Sequence, residues 1–93
     1  MLFANRIRKL RENKQMLQRN VSAALDIENA MYCKIERGDR QAKREHIPFI
    51  AEILRTDREE LLALWLADQV TAVMEEDKEI SDKVLKIAKQ NML

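Results

Sequence analysis

Residues 18–38 read Gln18-Arg19-Asn20-Val21-Ser22-Ala23-Ala24-Leu25-Asp26-Ile27-Glu28-Asn29-Ala30-Met31-Tyr32-Cys33-Lys34-Ile35-Glu36-Arg37-Gly38. Val21 and Leu25 stand one helical turn apart, which predicts a short helix from about Gln18 to Leu25, and a second follows from about Glu28 to Arg37. Asp26 is the residue that can turn the chain between them, because Asp tolerates left-handed backbone better than most residues that carry a Cβ. Gly38, the only glycine in 93 residues, falls where the second helix needs a left-handed residue to end. The stretch is two short helices joined tightly and closed by a glycine.

On either side the pattern stays helical. Phe3, Ile7 and Leu10 are spaced i, i+4, i+7 and predict an amphipathic helix from about Leu2 to Asn13. Ile47, Ile50, Ala51 and Leu54 form another stripe ending near Arg55, with Pro48 acceptable in the first turn, where its missing N–H leaves no helical bond unmade. Thr56-Asp57-Arg58-Glu59 has the Thr-x-x-Glu form of a capping box and announces a long fifth helix bearing Leu61, Leu62, Trp65, Leu66, Val70, Val73 and Met74. Glu75-Glu76-Asp77 marks a break, and Asp77 is a candidate N-cap for a last helix carrying Ile80, Val84, Leu85, Ile87 and Ala88. With no β-type alternation, repeat or low-complexity tract, the chain reads as all-α. Trp65, Leu62, Leu66 and Phe49 are expected to complete the core.

Composition removes several function classes. One cysteine cannot form an internal disulfide, and one His without a Cys or carboxylate cluster makes no metal site. Neither a Ser/His/Asp nor a Cys/His arrangement nor a glycine-rich phosphate loop is present, so the chain is read as a non-enzyme without cofactor. No apolar run approaches the ~20 residues of a membrane span, and Met1 to Arg6 lacks the form of a signal peptide, so a cytoplasmic protein is expected. The net charge of +1 conceals a gradient. Residues 1–46 hold eleven Lys/Arg against six Asp/Glu, a net of +5, and residues 47–93 hold six against ten, a net of −4. A basic half of this kind suits a polyanion, and equally suits a solvated helical surface.

A helical wheel separates the two sides of the 28–37 helix. With Asn29 at 0°, Cys33 lies at about 40°, Arg37 at about 80°, Ala30 at about 100° and Lys34 at about 140°, whereas Met31, Ile35 and Tyr32 occupy the opposite side. Gln18 at the opening of one helix, a small residue four positions later, and Ile35-Glu36-Arg37-Gly38 closing the next resemble the Cro/cI-type (XRE) helix-turn-helix family of DNA-binding transcriptional regulators. The resemblance runs from the first helix to about Leu66. It implies a five-helix lambda-repressor-like domain over 1–68, with a C-terminal helical extension over 69–93.

The resemblance also implies roles, position by position. Asn29, Ala30 and Lys34 match positions that meet base edges: Asn can pair with adenine, Lys can donate to guanine, and a methyl can touch thymine. Gln18 matches a position that commonly grips a phosphate and sometimes a base, and Arg37, Lys43 and Arg44 lie where the family approaches the DNA backbone or minor groove. Arg19, Glu28 and Cys33 complete the candidate DNA-facing set. Arg11 and Glu36 match a buried pair that ties the first helix to the third. Three positions depart from the family's pattern: Leu17 replaces a hydroxyl N-cap, Asp26 a turn glycine, and Glu28 a Ser or Thr that faces phosphate. Glu28 there repels the backbone unless it accepts from cytosine or caps its own helix. Beyond the domain, Val70, Val73, Met74, Ile80, Val84 and Ile87 form an apolar set that a homodimer would cover. Two-fold symmetry would then place two recognition helices about 34 Å apart on a palindromic site. The expected function is a dimeric repressor on double-stranded DNA. The alternative is an antitoxin-like or restriction-modification controller protein whose C-terminal helices bind a separate protein.

Overall fold

Apolar residues three and four apart give each of the first five helices an inward stripe, and the chain folds by bringing these stripes together. A computed structural model describes residues 1–93. It contains α1 (Leu2–Asn13), α2 (Gln18–Leu25), α3 (Asn29–Arg37), α4 (Ile47–Leu54), α5 (Arg58–Val73) and α6 (Ser81–Met92), with 3-10 turns at Arg44–His46 and Lys78–Ile80 and no strand. Phe3 and Ile7 of α1, Val21 and Leu25 of α2, Tyr32 and Ile35 of α3, the α4 set Ile47, Ile50, Ala51 and Leu54, and Leu61 of α5 form one core together with Ala42. Trp65 and Leu62 pack against its edge, and the indole N–H of Trp65 donates to the Ala42 carbonyl at 2.9 Å.

Two expected core residues lie outside it. Phe49 is 56% exposed and Leu66 40% exposed. On α4 the inward arc is filled by Ile47, Ile50, Ala51 and Leu54, and Phe49 lies well over a quarter-turn from its centre. Leu66 is likewise displaced from the side of α5 that carries Leu61 and Trp65.

Four helices end in the same way. Gln15, Asp26, Gly38 and Arg55 adopt left-handed backbone, with φ of 56°, 56°, 81° and 52°. In each case the next residue's N–H donates to the carbonyl five residues back: Met16 to Arg11 (3.1 Å), Ile27 to Ser22 (3.0 Å), Asp39 to Lys34 (2.9 Å) and Thr56 to Ala51 (2.9 Å). These are Schellman closures, and only one of the four uses glycine. An L-residue in this region costs about 1–2 kcal/mol, of which glycine's greater chain entropy gives back about 0.5–1. Arg55→Gly is therefore expected to raise stability by about 0.5–1 kcal/mol, read as an increased Tm. An unchanged or lower Tm would show that Arg55 is not strained.

The closure of α4 also moves the start of α5. Because the Thr56 N–H is used to end α4, the N-cap is Asp57, whose Oδ2 accepts from the Glu60 N–H at 3.0 Å, and the Thr56–Glu59 box does not form. At the other end Asp77 makes no side-chain cap; its φ of −130° leads into the 3-10 turn, and α6 starts only at Ser81. The expected boundary after residue 68 lies inside α5, which continues unbroken to Val73. Asp68 itself ties the two ends of the helical unit. Its Oδ1 accepts from the Leu2 N–H at 2.9 Å and its Oδ2 from the Phe3 N–H at 3.0 Å, so α5 caps α1 and sets a carboxylate at the positive end of that helix.

Candidate nucleic-acid interface

The position of α3 is set by what it buries. Tyr32 and Ile35 enter the core, and Glu36, only 3% exposed, meets Arg11 of α1 in a two-pronged pair, Nε to Oε2 at 2.7 Å and Nη2 to Oε1 at 3.0 Å. The third prong, Arg11 Nη1, donates to the Met16 carbonyl at 2.8 Å and so holds the α1–α2 turn. Gln18 Nε2 donates to Glu36 Oε1 at 3.2 Å from the first residue of α2. Burial alone would push the Glu36 carboxyl up, but the hydrogen bonds from Arg11 and Gln18, with the Tyr32 hydroxyl beside them, outweigh it and hold the group below its ordinary range. Burial first, and then this carboxylate, drive the Tyr32 phenol well above the ordinary tyrosine range; its hydroxyl is buried without a well-aligned hydrogen bond. One buried carboxylate thus fixes α1, α2 and α3 to each other.

The remaining side of α3 faces outward. Glu28, Asn29, Ala30, Lys34 and Arg37 are exposed. Asn29 is oriented from α2, with its Oδ1 3.2 Å from the Ser22 hydroxyl, which lies equally far from the Arg19 carbonyl. Arg37 is paired with Asp39 at 3.1 Å, whereas Arg19, Lys34, Lys43 and Arg44 have no carboxylate within ion-pair distance. The 3-10 turn Arg44–His46 follows the loop from Gly38 and leads Lys43 and Arg44 into α4.

No family model, curated protein or solved structure matches the chain. What the surface can do is therefore read from its own geometry.

Three of the sequence-based expectations change. Gln18 does not present its amide outward: Nε2 goes to Glu36 and Oε1 accepts from the Cys33 Sγ at 3.0 Å, leaving one Nε2 proton for an external acceptor. Cys33 is correspondingly half-buried against α2 rather than on the open arc, because 40° on the wheel is the side that α2 covers. Glu28 precedes α3 but makes no cap hydrogen bond, which removes that alternative for its side chain. The open arc is narrowed to Ala30, Lys34 and Arg37, with Asn29 at the helix start. Two contributors were not anticipated. Ser22 orients Asn29 across the turn, and Asn20 makes the reciprocal half of a capping box, its Oδ1 accepting from the Leu17 N–H at 2.8 Å, while Leu17 has no side-chain oxygen for the other half. A small polar residue on the buried side of α2 is the sequence signal for the first, and an amide three residues after the N-cap Leu17 for the second.

The C-terminal set is divided. Val70, Val73, Ile80 and Ile87 are exposed, Val73 by 79%, and Val84 is half-buried. Met74 is only 9% exposed and does not belong to the open face. Helix α5 stops at Val73, and Met74 is its C-cap at φ −91°, ψ 3°, with its N–H still donating to the Val70 carbonyl at 3.1 Å. No residue of α6 is buried, although Val84, Leu85, Ile87, Ala88 and Met92 share one side and Lys83, Lys86 and Lys89 the other. No group of three or more His, Cys, Asp or Glu side chains is placed to hold a metal ion, and no helix is long and apolar enough to cross a membrane.

Proposed function

We propose that this chain is a sequence-specific DNA-binding transcriptional regulator, a repressor that grips a palindromic operator as a homodimer. In this reading α1–α5 form a lambda-repressor-like domain of Cro/cI helix-turn-helix type, and α3 is its recognition helix. The observation that carries it is the division of α3 into two sides. One side is locked by Tyr32, Ile35 and the Arg11–Glu36 pair, and the other offers Asn29, Ala30 and Lys34 beside the unpaired cations Arg19, Lys43 and Arg44. A helix held rigidly by its inner side, with a short polar outer side, is suited to the major groove, where base edges are read by a few side chains. The flanking cations suit phosphates, whose contacts set register without reading sequence.

Selection of bound fragments from random DNA tests the reading: a two-fold symmetric consensus supports it, and absence of enrichment over a mixed-sequence control overturns it. Lys34→Ala is expected to lose about 1–3 kcal/mol of discrimination between the selected site and random DNA. Equal weakening on both would remove Lys34 from base readout. Arg44→Ala is expected to weaken all DNA alike and to lower the salt dependence by about one counterion. An unchanged salt slope in fluorescence anisotropy would count against a phosphate contact.

The exposed run of Val70, Val73, Ile80 and Ile87 favours a second reading, in which the C-terminal helices bind a separate protein, as in an antitoxin-like or restriction-modification controller protein. Sedimentation of the purified chain separates the two, since a monomer at micromolar concentration supports the second.

A further inference from the structure

Between the start of α1, the loop after α3 and the second half of α5 lies a pocket of about 210 Å³. Its walls are Phe3 and Ala4 of α1, Ile35 of α3, Ala42 of the loop and the indole of Trp65. Apart from Trp65, each of these side chains is 4% exposed or less, so the interior of the pocket is continuous with the core. An enclosed apolar cavity of about 150 Å³ holds one benzene ring, and this cleft, open to solvent on one side, is of a size for a ring or branched chain.

The polar groups around it are unequal. Asp68 lines the pocket, but both of its oxygens are engaged by the Leu2 and Phe3 N–H groups. Gln69 directs its amide to the Trp65 carbonyl at 3.4 Å. The guanidinium of Arg40 is exposed and has no carboxylate within ion-pair distance. Met1, whose amino group also has no carboxylate within ion-pair distance, lines the pocket too, but only the Arg40 guanidinium offers a planar fork of donors that matches a carboxylate. We propose that this pocket binds a small monocarboxylate with an aromatic or branched apolar body, the body against Phe3, Ile35 and Trp65 and the carboxylate on Arg40. The ligand would join the loop after α3 to α5. That loop runs directly into Lys43 and Arg44, so the site adjoins the basic stretch without overlapping it.

The chain has a single tryptophan and it lines the pocket, so intrinsic fluorescence reports occupancy directly. Titration with phenylacetate is expected to change the Trp65 emission saturably. Phenethylamine, with a similar body and the opposite charge, should bind at least tenfold more weakly. Arg40→Ala, at an exposed loop position, is expected to raise the phenylacetate Kd about tenfold. Ala72→Leu, at the exposed mouth on α5, should weaken both compounds by filling space. A linear, non-saturating response, equal affinity for acid and amine, or an unchanged Kd in Arg40→Ala would each overturn the proposal. A thermal melt of both variants establishes that they are folded, so a loss of binding is read at the site itself.

Discussion

Glu36→Ala is expected to destabilise the chain by about 3–5 kcal/mol, the cost of removing one member of a buried ion pair and leaving the other. The side chain of Glu36 is 2% exposed and that of Arg11 12%. Without the carboxylate, Arg11 keeps only the Met16 carbonyl and Gln18 Nε2 loses its acceptor, so two polar groups inside the fold go unsatisfied. Domains of this size have about 5–15 kcal/mol in total, so the variant should lose a large share of its stability, read as a much lower Tm. Arg11→Met combined with Glu36→Leu should recover most of the loss, because neither charge is then left alone. Acid titration provides a separate check. Since folding lowers the Glu36 carboxyl below its ordinary value near 4.5, its contribution is complete above that pH and is lost as pH falls through the lower value of the folded chain. Urea unfolding of the wild type should weaken over that interval, and the double apolar variant should lack that part of the decline. Parallel acid profiles, or a Glu36→Ala loss below 1 kcal/mol, would show that the pair does not anchor α3.

Much of this arrangement could be read from residue order. The spacing of Phe3, Ile7 and Leu10, of Val21 and Leu25, and of Ile47, Ile50 and Leu54 reports which side of each helix is buried, because burial and the helical period share one geometry. Gly38 and Asp26 were legible as helix ends because their residue types favour left-handed backbone. Gln15 and Arg55 were not: they take the same conformation under tertiary constraint, with no residue preference to announce it. Polar side chains were the least legible. The wheel puts Cys33 on the same arc as Lys34, and only the packing of α2 over one edge of α3 shows that Gln18 and Cys33 turn toward each other. The Asp68 cap joins residues 66 positions apart, a distance at which local pattern carries no information.

The other large effect concerns the exposed valines of α5. Val73→Glu is expected to leave the fold intact, since 79% of that residue already faces solvent, while placing a charge in the apolar face assigned to dimer formation. If two copies grip the operator through that face, the variant should sediment as a monomer. Its affinity for the full palindrome should fall by about 10²–10⁴-fold, the advantage that linkage gives to a second binding event. Affinity for an isolated half-site should be unchanged, because α3 and its Arg11–Glu36 anchor lie in α1–α3 and are untouched. Met74→Glu is the informative neighbour. Met74 is 9% exposed within its own chain, so a charge there should lower Tm before it alters assembly. An opposite ranking, with Met74→Glu dissociating a stable dimer and Val73→Glu leaving it whole, would move the contact between copies away from the open face of α5 and onto the segment that follows it.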